Sequence, residues 1–376
     1  MASVSKHANG KYRARYRDAA GRQHARHFTR KVDAERWLDS VRVDLSTGAY
    51  ADPARGRVTF GTWSTQWQAE AVHLKPKTRA GYESILTKHL LPRWEDARLA
   101  DIDRAAVKAW VADMVAAGMG AGTVKNVVNT MKAVMSSALE GGAIKTNPCV
   151  GVRLPRPNRG EMLFLTAREV LELADAIGPK HRTLILLAAY SGLRAGEIAA
   201  LRWNRVDLRR GTVDVVESYA EVHGVLVLGA TKTYAHRTVR LPRFLTELLV
   251  EHRAVTGPDG HVFRDSRGGP LRHSNLYRRS FRPAVNAAGL PSGLRFHDLR
   301  HTCVALLVAQ GAHPMAIKQR LGHSSITVTL DQYGHLLPAL DEALAQGLDG
   351  TFRAAVEDNL RTAGGLGHFA DRLLDL

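Results

Sequence analysis

Arg194 and Glu197 in "SGLRAGE", Lys232 in "TKT", His297 and Arg300 in "HDLRHT", His323 in "LGHSS" and Tyr333 in "LDQYGH" are polar residues where a plain core has no need of them. Their types, taken as a set, suit work on a phosphodiester. Two arginines can clamp the non-bridging oxygens with the planar fork of the guanidinium, which lysine matches less well. A lysine can protonate a departing alkoxide, and histidines can exchange a proton with a phenol or hydrogen-bond the phosphate. A tyrosine hydroxyl can attack phosphorus and hold it covalently. With a pKa of about 10, a phenol is a poor nucleophile when free and a tolerable leaving group once esterified. The phosphotyrosine therefore conserves the energy of the broken bond, and a free 5′-hydroxyl can reverse the step. Taken singly, each motif has a bland reading: Lys232 a solvated turn residue at a hairpin tip, His323 a helix-end cap, Tyr333 a core aromatic. Only the set points to chemistry.

The elements that must hold these residues can be read from periodicity. Arg194 follows an apolar helix, and a buried arginine there needs a partner, either Glu197 or a bound anion. His297 and Arg300 stand three apart at the start of a helix over Phe296 to Gln310 and so share a face. That helix then turns apolar, so its polar first turn should open on a cleft. Three β-branched segments, near Val213–Val216, Val225–Leu228 and Thr238–Leu241, predict strands, with "TKTYAH" in the turn between the last two. Thr166 and Glu169 form a capping box that opens this region, and a further helix runs from Ser274 to Ala288.

Upstream, residues 58–150 read as helices. Phe60, Trp63 and Trp67 mark the first, which Pro76 breaks. Thr78 is placed to cap the second, which carries Tyr82, Ile85, Leu86 and Leu90. Ile102, Val107, Trp110, Val111 and Met114 mark a third, and Val124 to Leu139 a fourth, all as core stripes. "VRLPRPNRGEM" at 152–162 reads as a linker. At the other end of the chain, Lys11, Arg13, Arg15 and Arg17 alternate with Tyr12, Ala14 and Tyr16, giving a strand with one basic face. A turn at 18–21 and a second basic strand, Arg22 to Phe28, complete a hairpin, and a helix follows with Ala34, Trp37, Leu38, Val41 and Leu45 as its stripe. A β-ribbon of this kind can lie in a DNA groove. Lys11, Arg13, Arg15, Arg17, Arg22 and Arg26 are the candidate DNA contacts. The fold class expected is mainly α with small β-sheets (α+β).

Composition narrows the partner. The 376 residues carry 53 Lys+Arg against 36 Asp+Glu, a net charge of +17, which asks for a polyanion. No apolar run approaches the length of a membrane span and no apolar leader opens the chain, so a cytoplasmic protein that does not touch membrane is expected. The two cysteines, Cys149 and Cys303, make neither a disulfide framework nor a metal site. The charge is segregated: residues 1–57 hold 13 Lys+Arg and 6 Asp+Glu, whereas 339–376 hold 3 and 7. In that acidic tail Leu340, Leu344, Leu348, Phe352, Val356 and Leu360 recur every four residues, a stripe for packing in its own domain or on a second protomer. No carboxylate cluster with metal-ligand spacing appears, nor a GxxxxGK[ST] loop. The chain's own cations must stabilise the transition state, and no metal or cofactor is expected.

The ordered set Arg, Lys, His-x-x-Arg, His, Tyr resembles the tyrosine recombinase (phage integrase) family, and the match runs from about Leu163 to Leu337. The resemblance implies a site-specific DNA recombinase that cuts and rejoins strands through a covalent 3′-phosphotyrosine. Arg194 and Arg300 are then the phosphate arginines, Lys232 the general acid to the leaving 5′-oxygen, and Tyr333 the nucleophile. His297 is similar to the proton acceptor, His323 to the residue that packs on the phosphate, and Glu197 to the supporting acid. The implied layout is an arm-type DNA-binding domain at 1–57, a core-type one at 58–150, a linker at 151–162, a catalytic domain at 163–337 and a tail at 338–376 that contacts a neighbouring protomer. The implied partners are double-stranded DNA attachment sites of core and arm type, three further copies in a tetramer on DNA, and a directionality factor or DNA-bending host protein. Two alternatives are a type IB topoisomerase, which would relax supercoils without exchanging partners, and a DNA-binding protein with a silent site. The basic hairpin favours a mobile-element integrase over a chromosome-dimer resolvase.

Overall fold

In the computed structural model the chain forms two compact units, residues 1–159 and 160–376. The structure describes residues 2–18, 21–48, 50–156, 162–231, 236–333 and 339–362; the side chains of 328, 331–332, 339–343 and 359–362 are outside that description. The boundary expected between 57 and 58 falls inside the first unit, while the linker spans the division between the two.

The first unit opens with a three-stranded antiparallel sheet in the order β1 (Ser3–Lys6), β2 (Tyr12–Arg17), β3 (Gln23–Phe28). Sequence periodicity finds β2 and β3 and misses β1, whose four polar-rich residues carry almost no pattern. Ala14 and Tyr16 on one face pack against Ala34, Leu38 and Val41 of α1 (Lys31–Thr47). The opposite face pairs Arg13 with Ser5 and His27, and Arg15 with Ser3 and Ala25. The helices α2 (Phe60–Glu70), α3 (Pro76–Ile85), α4 (Leu91–Trp94), α5 (Arg104–Ala116) and α6 (Ala121–Glu140) enclose a second core. All four expected stripes contribute to it, with Trp63, Trp67 and Ile85 partly buried at its edge and Leu139 left exposed, and Trp94 and Trp110 meet edge to face at 5.7 Å. Pro76 opens α3 from its first position, where the missing N–H costs nothing. Lys75 therefore holds the cap position expected of Thr78, which lies inside the first turn. Leu86–Leu90 form a wide turn that carries α3 into α4. Pro92, one residue into α4, cannot donate to the carbonyl four residues back, and the ladder shifts register to absorb the loss.

The second unit is built around α8 (Pro179–Ser191), whose polar first turn gives way to a stretch apolar all round, with Leu184 through Ala189 all buried. Around it lie α7 (Ala167–Ala176), α9 (Ala195–Ala200), α10 (Arg243–Thr256), and α11 (His273–Leu276), which a second wide turn at Tyr277–Phe281 joins to α12 (Arg282–Ala287) ahead of Pro283. The capping box forms as expected, with Thr166 and Glu169 exchanging bonds of 2.7 and 3.2 Å. The strands β4 (Val206–Asp207), β5 (Thr212–Val215) and β8 (Arg237–Arg240) make one antiparallel sheet, and β6 (Glu217–Val222) pairs with β7 (Val225–Ala230) in another. This corrects the expected hairpin around "TKTYAH": β7 and β8 belong to different sheets and do not pair. The tight turn is instead at His223-Gly224, where both residues have positive φ (47° and 77°), the conformation a two-residue hairpin turn demands. Last come α13 (Asp298–Val308), α14 (Pro314–Leu321), α15 (Ile326–Tyr333) and α16 (Ala339–Thr362). No described helix is long and apolar enough to cross a membrane.

Candidate active site

Three chain segments converge on one polar cluster. The first is the turn from α8 into α9. Gly192 ends α8 in a left-handed conformation (φ 71°), and a Cβ there would sit 2.7 Å from Leu321 Cδ2. The turn delivers Arg194 to the start of α9, where its backbone N–H and its Nη1 both donate to the Glu197 carboxylate at 2.8 Å. Two residues on, Gly196 lets α9 lie flat on β6: a Cβ would fall 2.3 Å from the Tyr219 carbonyl oxygen and 2.6 Å from Ser218 Oγ. Glu197 is nearly sealed from solvent and is held from its other side by Arg237 of β8, at 3.1 and 2.6 Å. Burial drives its pKa up, and the bonds and charges of Arg237 and Arg194 more than reverse that, leaving it below the ordinary value. Arg237 is not among the residues sequence reasoning picked out. It sits 40 positions from Glu197 in an alternating strand, and nothing local marks the pair.

The second segment is the first turn of α13. His297 stands just ahead of the helix, and Asp298, Arg300, His301 and Thr302 are all buried. The expected cleft-lining first turn is thus folded inward, except for His297, which keeps part of its surface in solvent. Arg300 donates to the Gly192 carbonyl and, at 2.8 Å, to the Leu321 carbonyl. Among the described residues no carboxylate bonds it. Burial, then the neighbouring Arg194, push its pKa down to about 9, with Glu197 opposing. Asp298 is the partner of Arg295, through bonds of 2.7 Å to the backbone N–H and 2.8 Å to Nη2.

The third segment runs from the end of α14 into α15. Arg194 Nη2 reaches the Gly322 carbonyl at 3.3 Å, so both arginines are anchored on main-chain oxygens at the C-terminal end of α14. His323 follows directly and bonds Thr329 Oγ1 at 2.9 Å. Burial, then the charges of Arg300, Arg194 and Arg237, lower its pKa to about 4. Tyr333 ends α15 with its ring among Val304, Val308, Ile317 and Leu321 and only 2% of its surface exposed. Its hydroxyl meets His301 Nδ1 at 2.7 Å. Burial pushes the phenol up to about 12, against the pull of Arg300.

Arg194, Glu197, Arg300, His323 and Tyr333 therefore lie on three segments that share bonds or charge. His297 is edge-on to His301, with ring centroids 5.1 Å apart, and makes no bond to Tyr333. Its pKa is lowered by desolvation first, then by His301 and Arg300. Lys232 lies outside the described residues. His301 was missed although it shares the "HDLRHT" string and stands four residues after His297, on the same helical face. At the other end of the chain, Arg13, Arg15 and Arg17 share the sheet face turned away from α1, and none of them pairs with a carboxylate among the described residues. Lys11 precedes that strand. Arg22 is committed to Asp18 and Asp52, at 3.1 and 2.9 Å. Arg26, paired with Ala14, falls on the opposite face and leans on the Phe28 ring. The six expected contacts are therefore not one surface.

Residues 163–339 match the model of the phage integrase family, residues 2–47 that of the phage integrase N-terminal domain, and residues 59–115 that of the phage integrase N-terminal SAM-like domain. A putative prophage phiRv2 integrase of Mycobacterium tuberculosis is 30% identical over 353 residues, covering 90% of this chain and 92% of its own. The chain belongs to the phage integrase family. The ICEBs1 integrase of Bacillus subtilis is 27% identical over 308 residues, covering 78% of this chain and 83% of its own. Among solved structures, the Tn1549 transposon integrase in complex with a circular intermediate DNA shares the fold at a TM-score of 0.68, with 20% identity over 77% of this chain and 99% of that one. A lambda integrase dimer bound to a COC′ core site does so at 0.57, with 23% identity over 88% and 93%. This integrase-family fold accounts for both the helical core at 58–150 and the α+β unit that follows it.

Proposed function

We propose that this integrase-family chain is a site-specific DNA recombinase that cuts and rejoins strands through a 3′-phosphotyrosine on Tyr333. The observation that carries the reading is Arg300. A guanidinium buried to 3% exposure, bonded among the described residues to two carbonyls and to no carboxylate, calls for an anion. Arg194 stands beside it on the same carbonyl shelf, and the Tyr333 hydroxyl lies close enough for Arg300 to act on its ionisation. A phosphodiester placed between the arginines would have its non-bridging oxygens held by both forks. The attack of Tyr333 then expels a 5′-oxygen, and Lys232 is the proton donor for that oxygen. His323 supports the phosphate from the α14 side, and Glu197 keeps Arg194 in place.

Two further parts follow from the same reading. The face of β2 that carries Arg13, Arg15 and Arg17, with Lys11 ahead of it, is the arm-type contact to double-stranded DNA. The tail assembles protomers: Leu344, Leu348 and Phe352 on α16 are 63, 72 and 54% exposed, left uncovered by the described residues of their own unit. A lambda integrase tetramer has been solved on a Holliday junction, and a tetramer on two DNA sites is proposed for this chain.

The test is covalent trapping. A duplex recovered from a random pool by its retention on the Tyr333→Phe protein is given a nick that lets the cleaved strand diffuse away. Wild type should accumulate a protein–DNA adduct in EDTA, and Tyr333→Phe should bind the duplex without forming one. An adduct at normal yield on the variant removes Tyr333 from the reaction. Relaxation of supercoiled plasmid without any exchange product would mark a topoisomerase instead.

A further inference from the structure

Among the described residues the Tyr333 hydroxyl has one hydrogen-bond partner, and it is not the histidine that family resemblance assigns to its proton. The contact is His301 Nδ1, at 2.7 Å, with both residues buried. His297, one helical turn earlier, meets His301 only edge to face. We propose that His301 is the base that takes the Tyr333 proton during strand cleavage, with Asp298 behind it as the residue that orients the ring. This rests on the recombinase reading above and specifies one proton transfer within it.

The geometry supports the direction of transfer. Nε2 of the same ring lies 4.0 Å from Asp298 Oδ1, beyond hydrogen-bond reach, and the carboxylate's charge at that distance favours a proton on Nε2. That tautomer leaves the Nδ1 lone pair pointed at the phenol, which then donates. Burial lowers the His301 pKa, and Asp298 opposes the lowering while Arg295 and Arg300 add to it. The ring is therefore neutral near pH 7 and free to accept. The charged or titratable groups around it are Asp298, Arg295, Arg300 and His297 at the start of α13, His323 after α14, and Tyr333 on α15. In the step itself, the Tyr333 O–H bond breaks and its proton goes to Nδ1. The phenolic oxygen forms a bond to phosphorus, the bond from phosphorus to the 5′-oxygen breaks, and that oxygen leaves with a proton from Lys232. His301 becomes imidazolium beside Asp298 and returns the proton when a 5′-hydroxyl reverses the reaction. Arg300 and His301 are consecutive on one helix, so the phosphate clamp and the base keep a fixed spacing, whereas Tyr333 arrives on a separate helix.

The experiment isolates the base by removing the need for an acid. The retained duplex described above is prepared with a 5′-bridging sulfur at the scissile position, whose thiolate leaves unprotonated. Single-turnover cleavage by the full chain is followed from pH 5 to 9. Wild type should rise to a plateau through one inflection in the histidine range. His301→Gln keeps a hydrogen-bond partner for the phenol but cannot take its proton, and should lose about 10²-fold or more, the ordinary scale of general-base catalysis, together with the inflection. His297→Gln should retain the inflection. The reverse pattern, or a His301→Gln variant within threefold of wild type with the inflection intact, overturns the proposal. Failure of wild type to cleave would instead sink the recombinase reading. A second measurement needs no variant that must fold: nitrogen NMR of histidine-labelled wild type should show His301 with Nδ1 unprotonated at neutral pH. A proton on Nδ1 would make the phenol the acceptor and overturn the proposal equally.

Discussion

Replacing Glu197 by glutamine changes one oxygen to an NH2 group and should unsettle the second unit more than most single substitutions. The wild-type carboxylate, nearly sealed from solvent, accepts four bonds of 3.1 Å or less from Arg194 and Arg237. The amide can supply only one oxygen and no charge, so two largely buried guanidinium groups lose their counter-ion. Breaking a buried pair from one side costs about 3–5 kcal/mol. In a domain of this size, that corresponds to a fall of roughly 6–20 °C in Tm. Calorimetry on wild type, Glu197→Gln, Arg237→Met and the double variant measures it. The double variant should be less destabilised than the sum of the singles, because removing both charges leaves nothing stranded. The pH dependence has a fixed sign. The folded-state pKa of Glu197 lies below its ordinary value, so its contribution is present above the unfolded-state pKa and is lost as pH falls through the folded-state one. The gap between wild type and Glu197→Gln should therefore close on acidification below the ordinary glutamate range. A loss under about 1 kcal/mol, the scale of an exposed pair, or strict additivity in the cycle, would refute the view that this carboxylate holds both arginines.

Gly196→Ala should cost about 1–3 kcal/mol by overpacking, read as a drop in Tm, because its Cβ would collide with the Tyr219 carbonyl. Arg13→Ala and Arg15→Ala should each lower the salt slope of arm-site binding by about one unit if they contact phosphate; an unchanged slope would remove them from that surface. Leu344→Ser with Leu348→Ser and Phe352→Ser should leave binding to a single duplex intact and abolish the slow-migrating complex of two duplexes in a gel. Persistence of that complex at full strength would show that α16 is not what joins protomers.

How far the sequence could be read depended on how local the relevant physics was. The stripe of α1, the capping box at Thr166 and the end of α8 before Gly192 depend on residues a few positions apart, and each was legible. Arg300 and Tyr333 could be picked out because their types, taken with Arg194, Lys232 and the histidines, make up one reaction. Arg237 could not, since its alternation in "RTVR" suits any strand and its partner Glu197 arrives from the helix α9. His301 stood in plain view beside Arg300, but its role depends on where α15 places a hydroxyl 32 positions later. The β6–β7 pairing was half seen. "ESYAEV" lacks a clean apolar face because the hairpin is only partly covered, while the His-Gly turn between the strands was a usable signal left unread.

Main-chain oxygens, those of Gly192, Leu321 and Gly322, hold Arg194 and Arg300 in place. A carbonyl offers the same lone pairs whatever side chain its residue carries. Sequence drift at position 321 can therefore exchange one apolar residue for another without touching either arginine's anchor. What descent must preserve is the path of the backbone through two turns and the Glu197 carboxylate that bonds Arg194. Two relatives could hold their phosphate arginines identically while sharing few of the letters that surround them.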